Sequence, residues 1–150
     1  MPNKHLTTKH VKGRCYCGDI AYEFEGEGTF MQCHCRECQY ISGGHPNAAF
    51  IAKLSGFKWL KGTPQTFARS DLETPRTRLF CSRCGTSLAT LSPRFPDAII
   101  LKVGAFDDPS VFHPEFAQFT VDKQPFHTLP QGAPAYVRTK AEAAQAANRM

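Results

Sequence analysis

The sequence predicts a mainly β protein built of short strands and turns with little helix, and three observations carry that expectation. Eleven glycines and 11 prolines are spread over 150 residues and break the chain into short pieces. Several segments alternate apolar and polar side chains with the period of two that marks a half-buried strand. Seven cysteines stand in tight groups, four of them beside glycines, a spacing that suits metal ligands better than a disulfide framework. An apolar content of 41% with 12 Phe gives a single domain enough material for a real core.

Taken in order, residues 1–12 read as a flexible arm, 13–136 as the body and 137–150 as a tail able to form a short helix. After Gly13-Arg14-Cys15-Tyr16-Cys17-Gly18, Ile20, Tyr22 and Phe24 alternate with Ala21, Glu23 and Glu25, which is the strand signature. Gly26 and Gly28 turn the chain, and Phe30 to Cys35 returns as a second strand. Arg36 to Ser42 is expected as a loop or short helical turn, and Gly43-Gly44-His45-Pro46-Asn47 as a loop whose glycines allow close backbone approach to a ligand. Ala48 to Ala52, Phe57 to Leu60, Thr77 to Phe80, Ser87 to Leu91 and Ala98 to Val103 read as strands, with a surface loop over 70–76. Cys81-Ser82-Arg83-Cys84-Gly85-Thr86 has the form of a zinc knuckle, two thiols bracketing a tight turn. Phe112, Phe116, Phe119 and Phe126 are expected in the core, with a pocket wall as the alternative, and the Ala-rich stretch 139–149 as an exposed helix or a frayed end.

The formal charge of +5 is concentrated at one end. Lys4, Lys9, Lys12 and Arg14 precede any acidic residue, and residues 15–150 carry 14 basic against 13 acidic groups. A nucleic-acid binder concentrates basic charge on the body of its domain, so a nucleic-acid partner is not expected. No apolar run marks a signal peptide in the first 30 residues, and no stretch approaches the ~18 apolar residues of a membrane span. The expectation is a cytoplasmic protein with reduced thiols and no membrane partner.

The chemistry centres on Cys33-His34-Cys35-Arg36-Glu37-Cys38. In an extended strand Cys33 and Cys35 project to one face and His34 to the other, and a turn after Cys35 can bring Cys38 back to the same point. Three sulfurs can then share one zinc, but the stretch offers no fourth local ligand. A structural zinc site closes its tetrahedron with protein, whereas a catalytic one leaves a position open. Cys15-x-Cys17 and Cys81-x-x-Cys84 can together close a four-cysteine site, although spacing alone leaves open a split in which the central group borrows one of these thiols.

The set Gly13-x-Cys15-x-Cys17-Gly18, Cys33-His34-Cys35-x-x-Cys38 and Phe80-Cys81-x-x-Cys84-Gly85-Thr86 resembles the glutathione-dependent formaldehyde-activating enzyme family, whose domain is shared with centromere protein V. The match extends over Ser42-Gly43, Gly104-x-Phe106-Asp107-Asp108-Pro109, Lys123-x-Pro125-Phe126 and Gly132-x-Pro134. The resemblance implies a β-tent fold of small antiparallel sheets stapled by two zinc ions. One would be structural, on Cys15, Cys17, Cys81 and Cys84; the other would be catalytic, on Cys33, Cys35 and Cys38. Ser42, Gly43 and His45 would contact substrate. The chain departs from the family pattern of His-x-Trp at Ala117-Gln118-Phe119 and of Trp at Phe126, positions that bear on substrate more than on metal.

The implied activity joins glutathione, or another small thiol, to formaldehyde or a related small electrophile, making or breaking a carbon–sulfur bond. A free thiol with pKa near 8.5 is only a few per cent thiolate at neutral pH, and metal coordination deprotonates it. His34 or His45 can handle a proton, His34 being equally suited to a hydrogen-bonded place on the opposite face; Arg36 can meet a glutathione carboxylate or stay solvated. A second reading is a zinc-stabilised binding module without catalysis. A homodimer is compatible with either.

Overall fold

The computed structural model describes residues 9–148, so residues 1–8 of the expected arm lie outside the described residues. The rest of that arm is a strand: β1 spans Lys9–Arg14 and pairs antiparallel with β2 (Ala21–Gly26), Val11 lying opposite Phe24 and Gly13 opposite Tyr22. Its buried face consists of Val11 and Gly13 alone, and a glycine leaves no trace in a hydropathy pattern. The chain continues through β3 (Gly28–Cys33), a short helix α1 (Arg36–Ile41), β4 (Asn47–Lys53), β5 (Phe57–Lys61) and β6 (Gln65–Phe67). There follow β7 (Thr77–Phe80), β8 (Ser87–Leu91), β9 (Ala98–Lys102), β10 (Phe116–Gln118) and α2 (Lys140–Asn148). Helix α2 takes the exposed course expected of its alanines, and the Thr139 hydroxyl accepts the Glu142 N–H at 3.0 Å as its cap.

The chain divides into two compact units. The first comprises the described residues up to Thr29 together with Phe50–Val111. It holds a three-stranded sheet ordered β1-β2-β5 and the ladder β4-β9-β8-β7-β6, in which β6, β7, β8 and β9 pair antiparallel in turn. Its core is aromatic and aliphatic: Phe24 meets the Phe50 ring edge-on at 5.4 Å, Phe50 meets Phe106 at 6.2 Å, and Leu88 and Leu101 are fully buried. Burial of each such side chain contributes about 1.5–3 kcal/mol.

The second unit comprises Phe30–Ala49 and the described residues from Phe112 onward. Its strand order is β10-β3-β4, and β10 runs parallel to β3 with Phe116 beside Met31 and Gln118 beside Cys33. The sheet that holds β3 and β10 is therefore mixed, whereas β1-β2-β5 is antiparallel throughout. Phe30 packs edge-on against Phe112 at 5.7 Å, and Phe116 is buried as expected. Phe126 is not: it is 60% exposed, its ring resting against His45 and His127 instead of the core.

Gly13 shows how tightly the first unit is built. A methyl group there would fall on the ring and hydroxyl of the fully buried Tyr22 and 2.6 Å from the Ala105 carbonyl. Neither backbone nor buried phenol yields cheaply, so Gly13→Ala is expected to cost about 3 kcal/mol, the upper end of overpacking penalties. Denaturant unfolding checks this; a midpoint equal to that of the parent would contradict it.

Candidate metal centres

The two knuckle halves are built alike. In the first, Gly18 N–H donates to the Cys15 carbonyl at 3.1 Å and Cys15 N–H to the Ile20 carbonyl at 3.0 Å. In the second, Gly85 N–H donates to the Cys81 carbonyl at 2.8 Å and Cys81 N–H to the Thr86 carbonyl at 3.0 Å. Gly18 (φ 83°) and Gly85 (φ 77°) close the two turns in the left-handed region that glycine enters without strain. Tyr16 N–H donates to the Thr86 hydroxyl at 3.0 Å and ties one half to the other.

This brings the sulfurs of Cys15, Cys17, Cys81 and Cys84 within 4.8 Å of one another. Cys17 Sγ lies 3.6 Å from Cys15 Sγ and 3.7 Å from Cys81 Sγ. Four sulfurs at 2.3 Å from a central zinc would stand about 3.8 Å apart, so the cluster has the dimensions of a tetrahedral site. Backbone N–H groups already face it, Ile20 N–H donating to Cys15 Sγ at 3.3 Å and Cys84 N–H to Cys81 Sγ at 3.5 Å. The Thr86 hydroxyl, 3.1 Å from Cys84 Sγ, and then the Thr86 backbone push the Cys84 thiol down to about 5, favouring the ligating thiolate.

The second cluster belongs to the end of β3 and the start of α1. Cys33, Cys35 and Cys38 bring three sulfurs within 4.8 Å of one another, and among the described residues no fourth Cys, His, Asp or Glu joins them. The spacing works because Cys35 is the N-cap of α1: its sulfur accepts the Cys38 N–H at 3.3 Å, which turns Cys38 back onto the strand end. Without a cation, crowding by neighbouring thiols opposes ionisation of Cys33 and Cys38. Cys33 is pushed up to about 11, first by Cys35, and Cys38 is raised by Cys33 and then Cys35. Three thiolates at this spacing call for a positive ion, and a soft, small one suits the donors. All seven cysteines are free thiols.

The sequence-predicted substrate residues follow directly. Ser42 ends α1, and its hydroxyl donates to the Cys38 carbonyl at 2.8 Å and to the His45 carbonyl. Gly43 (φ 77°) and Gly44 (φ 103°) have nothing within 4 Å of where a side chain would stand, so the backbone is open to a ligand there. His45 is exposed, its ring 5.5 Å from that of Phe126. Arg36, exposed, donates to the Gln39 side chain and lies over the Tyr40 ring at 5.1 Å.

His34 takes the other of its two expected places. It is fully buried, with Nδ1 2.9 Å from His127 Nδ1 and Nε2 2.9 Å from the Gln32 carboxamide. His127 Nε2 donates to the Gly44 carbonyl at 2.8 Å, while its Nδ1 accepts the Gln124 N–H at 3.2 Å. That tautomer leaves His34 Nδ1 as the donor between the rings and His34 Nε2 as an acceptor, which the Gln32 carboxamide satisfies with its N–H turned toward the ring. Burial, then the neighbouring His127 and Lys123, push His34 down to about 4. Both its nitrogens are engaged, so it braces the loop and does not exchange protons with solvent.

Two residues at this site were not legible beforehand. The Gln118 side-chain N–H donates to Cys33 Sγ at 3.7 Å, and His127 anchors the glycine loop through Gly44. Each partner is more than 80 residues away in sequence, and no local pattern signals such a contact.

Among known proteins, the sequence profile of the family described as glutathione-dependent formaldehyde-activating enzyme matches residues 10–122. A Halomonas elongata protein named "Putative glutathione-dependent formaldehyde-activating enzyme" is 26% identical over 121 residues, covering 77% of each chain. The crystal structure of a Rhodobacter sphaeroides protein superposes with a TM-score of 0.54 at 19% identity, covering 84% of this chain and 99% of that one, a likeness of fold alone. With the profile matched over most of its length and across both cysteine clusters, the chain belongs to the glutathione-dependent formaldehyde-activating enzyme family.

Proposed function

We propose that the chain is a zinc-dependent carbon–sulfur lyase or synthase acting on the adduct of glutathione, or another small thiol, with formaldehyde or a related small electrophile. The observation that carries this reading is the contrast between the two clusters: four sulfurs in one, three in the other, at the same close spacing. A closed tetrahedron has a structural role, and Cys15, Cys17, Cys81 and Cys84 are assigned to it. Cys33, Cys35 and Cys38 are assigned to the reactive centre, where zinc would supply an open Lewis-acid position that holds an incoming thiol as thiolate.

The chain's own residues would do the rest. Three cysteine thiolates offset the ion's charge, which favours holding and releasing a fourth sulfur over strong activation of water. In the forward direction the thiol sulfur forms a bond to the carbonyl carbon, the C=O π pair moves to oxygen, and the thiol proton ends on that oxygen. His45, exposed beside the glycine loop, would pass that proton to and from water, since His34 is sealed. Ser42 and the His127–Gly44 hydrogen bond hold the loop in shape, and Gly43 leaves its backbone accessible to the peptide-like body of the thiol. Among the described residues no helix is long and apolar enough to cross a membrane, and seven free thiols accord with a reducing, cytoplasmic setting.

Native mass spectrometry with and without glutathione tests the assignment. Two zinc ions per chain and a glutathione adduct are expected, together with faster formation of the hydroxymethyl thioether than in buffer. Two ions with neither adduct nor acceleration by any small thiol would overturn the enzyme reading in favour of a zinc-stabilised binding module.

A further inference from the structure

We propose that Gln118 is a positioning residue of the three-thiol centre, its side-chain amide holding the Cys33 sulfur in place as a ligand and so setting how firmly the centre keeps its metal. The inference rests on the reading of Cys33, Cys35 and Cys38 as a metal site. A thiolate sulfur is an acceptor only, so the carboxamide must present its N–H, as it does at 3.7 Å.

Three further anchors hold Gln118 there. The parallel register sets it beside Cys33, the residue it serves. Its own carbonyl accepts the His34 N–H at 3.0 Å, locking the two strand ends together one residue past the ligand. Immediately after it the chain turns through Phe119, at φ 58° the one non-glycine residue with positive φ among those described. The Phe119 N–H donates to the Arg138 carbonyl at 2.8 Å, which holds that turn. Left-handed backbone at a bulky aromatic is strained and persists where the surroundings impose it, commonly at functional sites. Here it ends β10 with Gln118 facing the cysteine.

A hydrogen bond to a ligating atom orients it and draws charge from it, and loss of such a partner typically lowers metal affinity 10–100-fold. The test compares the parent with Gln118→Leu and Gln118→Glu, the second keeping the shape but losing the donor. Chelator competition gives the affinity of each ion, and cobalt substitution reports the thiolate-to-metal charge-transfer band. The four-cysteine ion is the internal control for folding, and Cys35→Ser protein identifies which ion that is. Both variants are expected to bind the weaker ion 10–100-fold less tightly, Glu at least as badly as Leu, with a shifted cobalt band and the other ion unchanged. A Gln118→Glu protein that matches the parent in affinity and band would overturn the proposal, since shape alone would then suffice. Unchanged affinity in both variants, or a loss confined to the four-cysteine ion, would overturn it too. A parent protein that binds only one ion would instead remove the two-site reading beneath it.

Discussion

Cys84→Ser should strip one zinc ion from the chain and remove a large part of the stability of its first unit. Cys84 completes the four-sulfur cluster that joins the turn after β1 to the turn after β7, segments more than 60 residues apart. With Tyr16 N–H on Thr86, the cluster is the crosslink of the two knuckle halves. Apparent binding energies of structural zinc reach about 10–16 kcal/mol in small zinc domains, and that energy is folding energy. Against a total stability of about 5–15 kcal/mol, forfeiting even a third of it removes a large part of the margin. A serine hydroxyl stays protonated near neutral pH and cannot replace the thiolate, whose ionisation Thr86 favours in the parent. The melting temperature is expected to fall by about 10 °C or more, a drop of about 4 kcal/mol at this chain length. Thermal melting followed by native mass spectrometry reads both effects. A Cys84→Ser protein that keeps two ions and melts with the parent would remove the structural role.

How much of this was legible in the sequence depends on the range of the interaction. The knuckles were, because a Cys-x-Cys or Cys-x-x-Cys turn is local and its glycine must follow at a fixed step; Gly18 and Gly85 sit in the left-handed region as that geometry requires. Strand β2 was legible because Tyr22 and Phe24 are buried on one face while their neighbours are not. Strand β1 was not, since its inward positions are Val11 and Gly13 and its outward ones are charged or polar. Strand β10 escaped for a different reason: it is three residues long, parallel to β3, and specified by its partner more than by its own alternation. Phe126 does not take the core place, the first of its two expected ones, because an aromatic side chain reports affinity for apolar surroundings and not which surroundings it meets. Its neighbours are the rings of His45 and His127, residues from the glycine loop and the C-terminal segment. Pairing of the cysteines into four and three was the decisive ambiguity, and only the three-dimensional proximity of the sulfurs resolves it.

That division of the sulfurs makes Cys35→Ser the sharpest separation of chemistry from folding, with an expected loss of thiol binding and a rate lowered by about 10²-fold or more, beyond what loss of a merely supporting group causes. The substitution deletes one of the three sulfurs proposed to hold the ion, and two thiolates are expected to hold it far more weakly than three. The fold should nonetheless survive. Cys35 is the N-cap of α1, where its sulfur accepts the Cys38 N–H, and serine is among the best residues for that position. Cys35 is also only half-buried, whereas Cys33 and Cys38 are buried, so the smaller oxygen leaves little cavity. The Gln39 contacts to the His34 and Asp122 carbonyls and the His34–His127 brace do not involve the Cys35 sulfur. The variant should therefore carry one zinc ion, melt within a few degrees of the parent and bind no glutathione. Were it to lose as much stability as Cys84→Ser, the three-thiol centre would be structural, and the catalytic assignment of Cys33, Cys35 and Cys38 would fall with it.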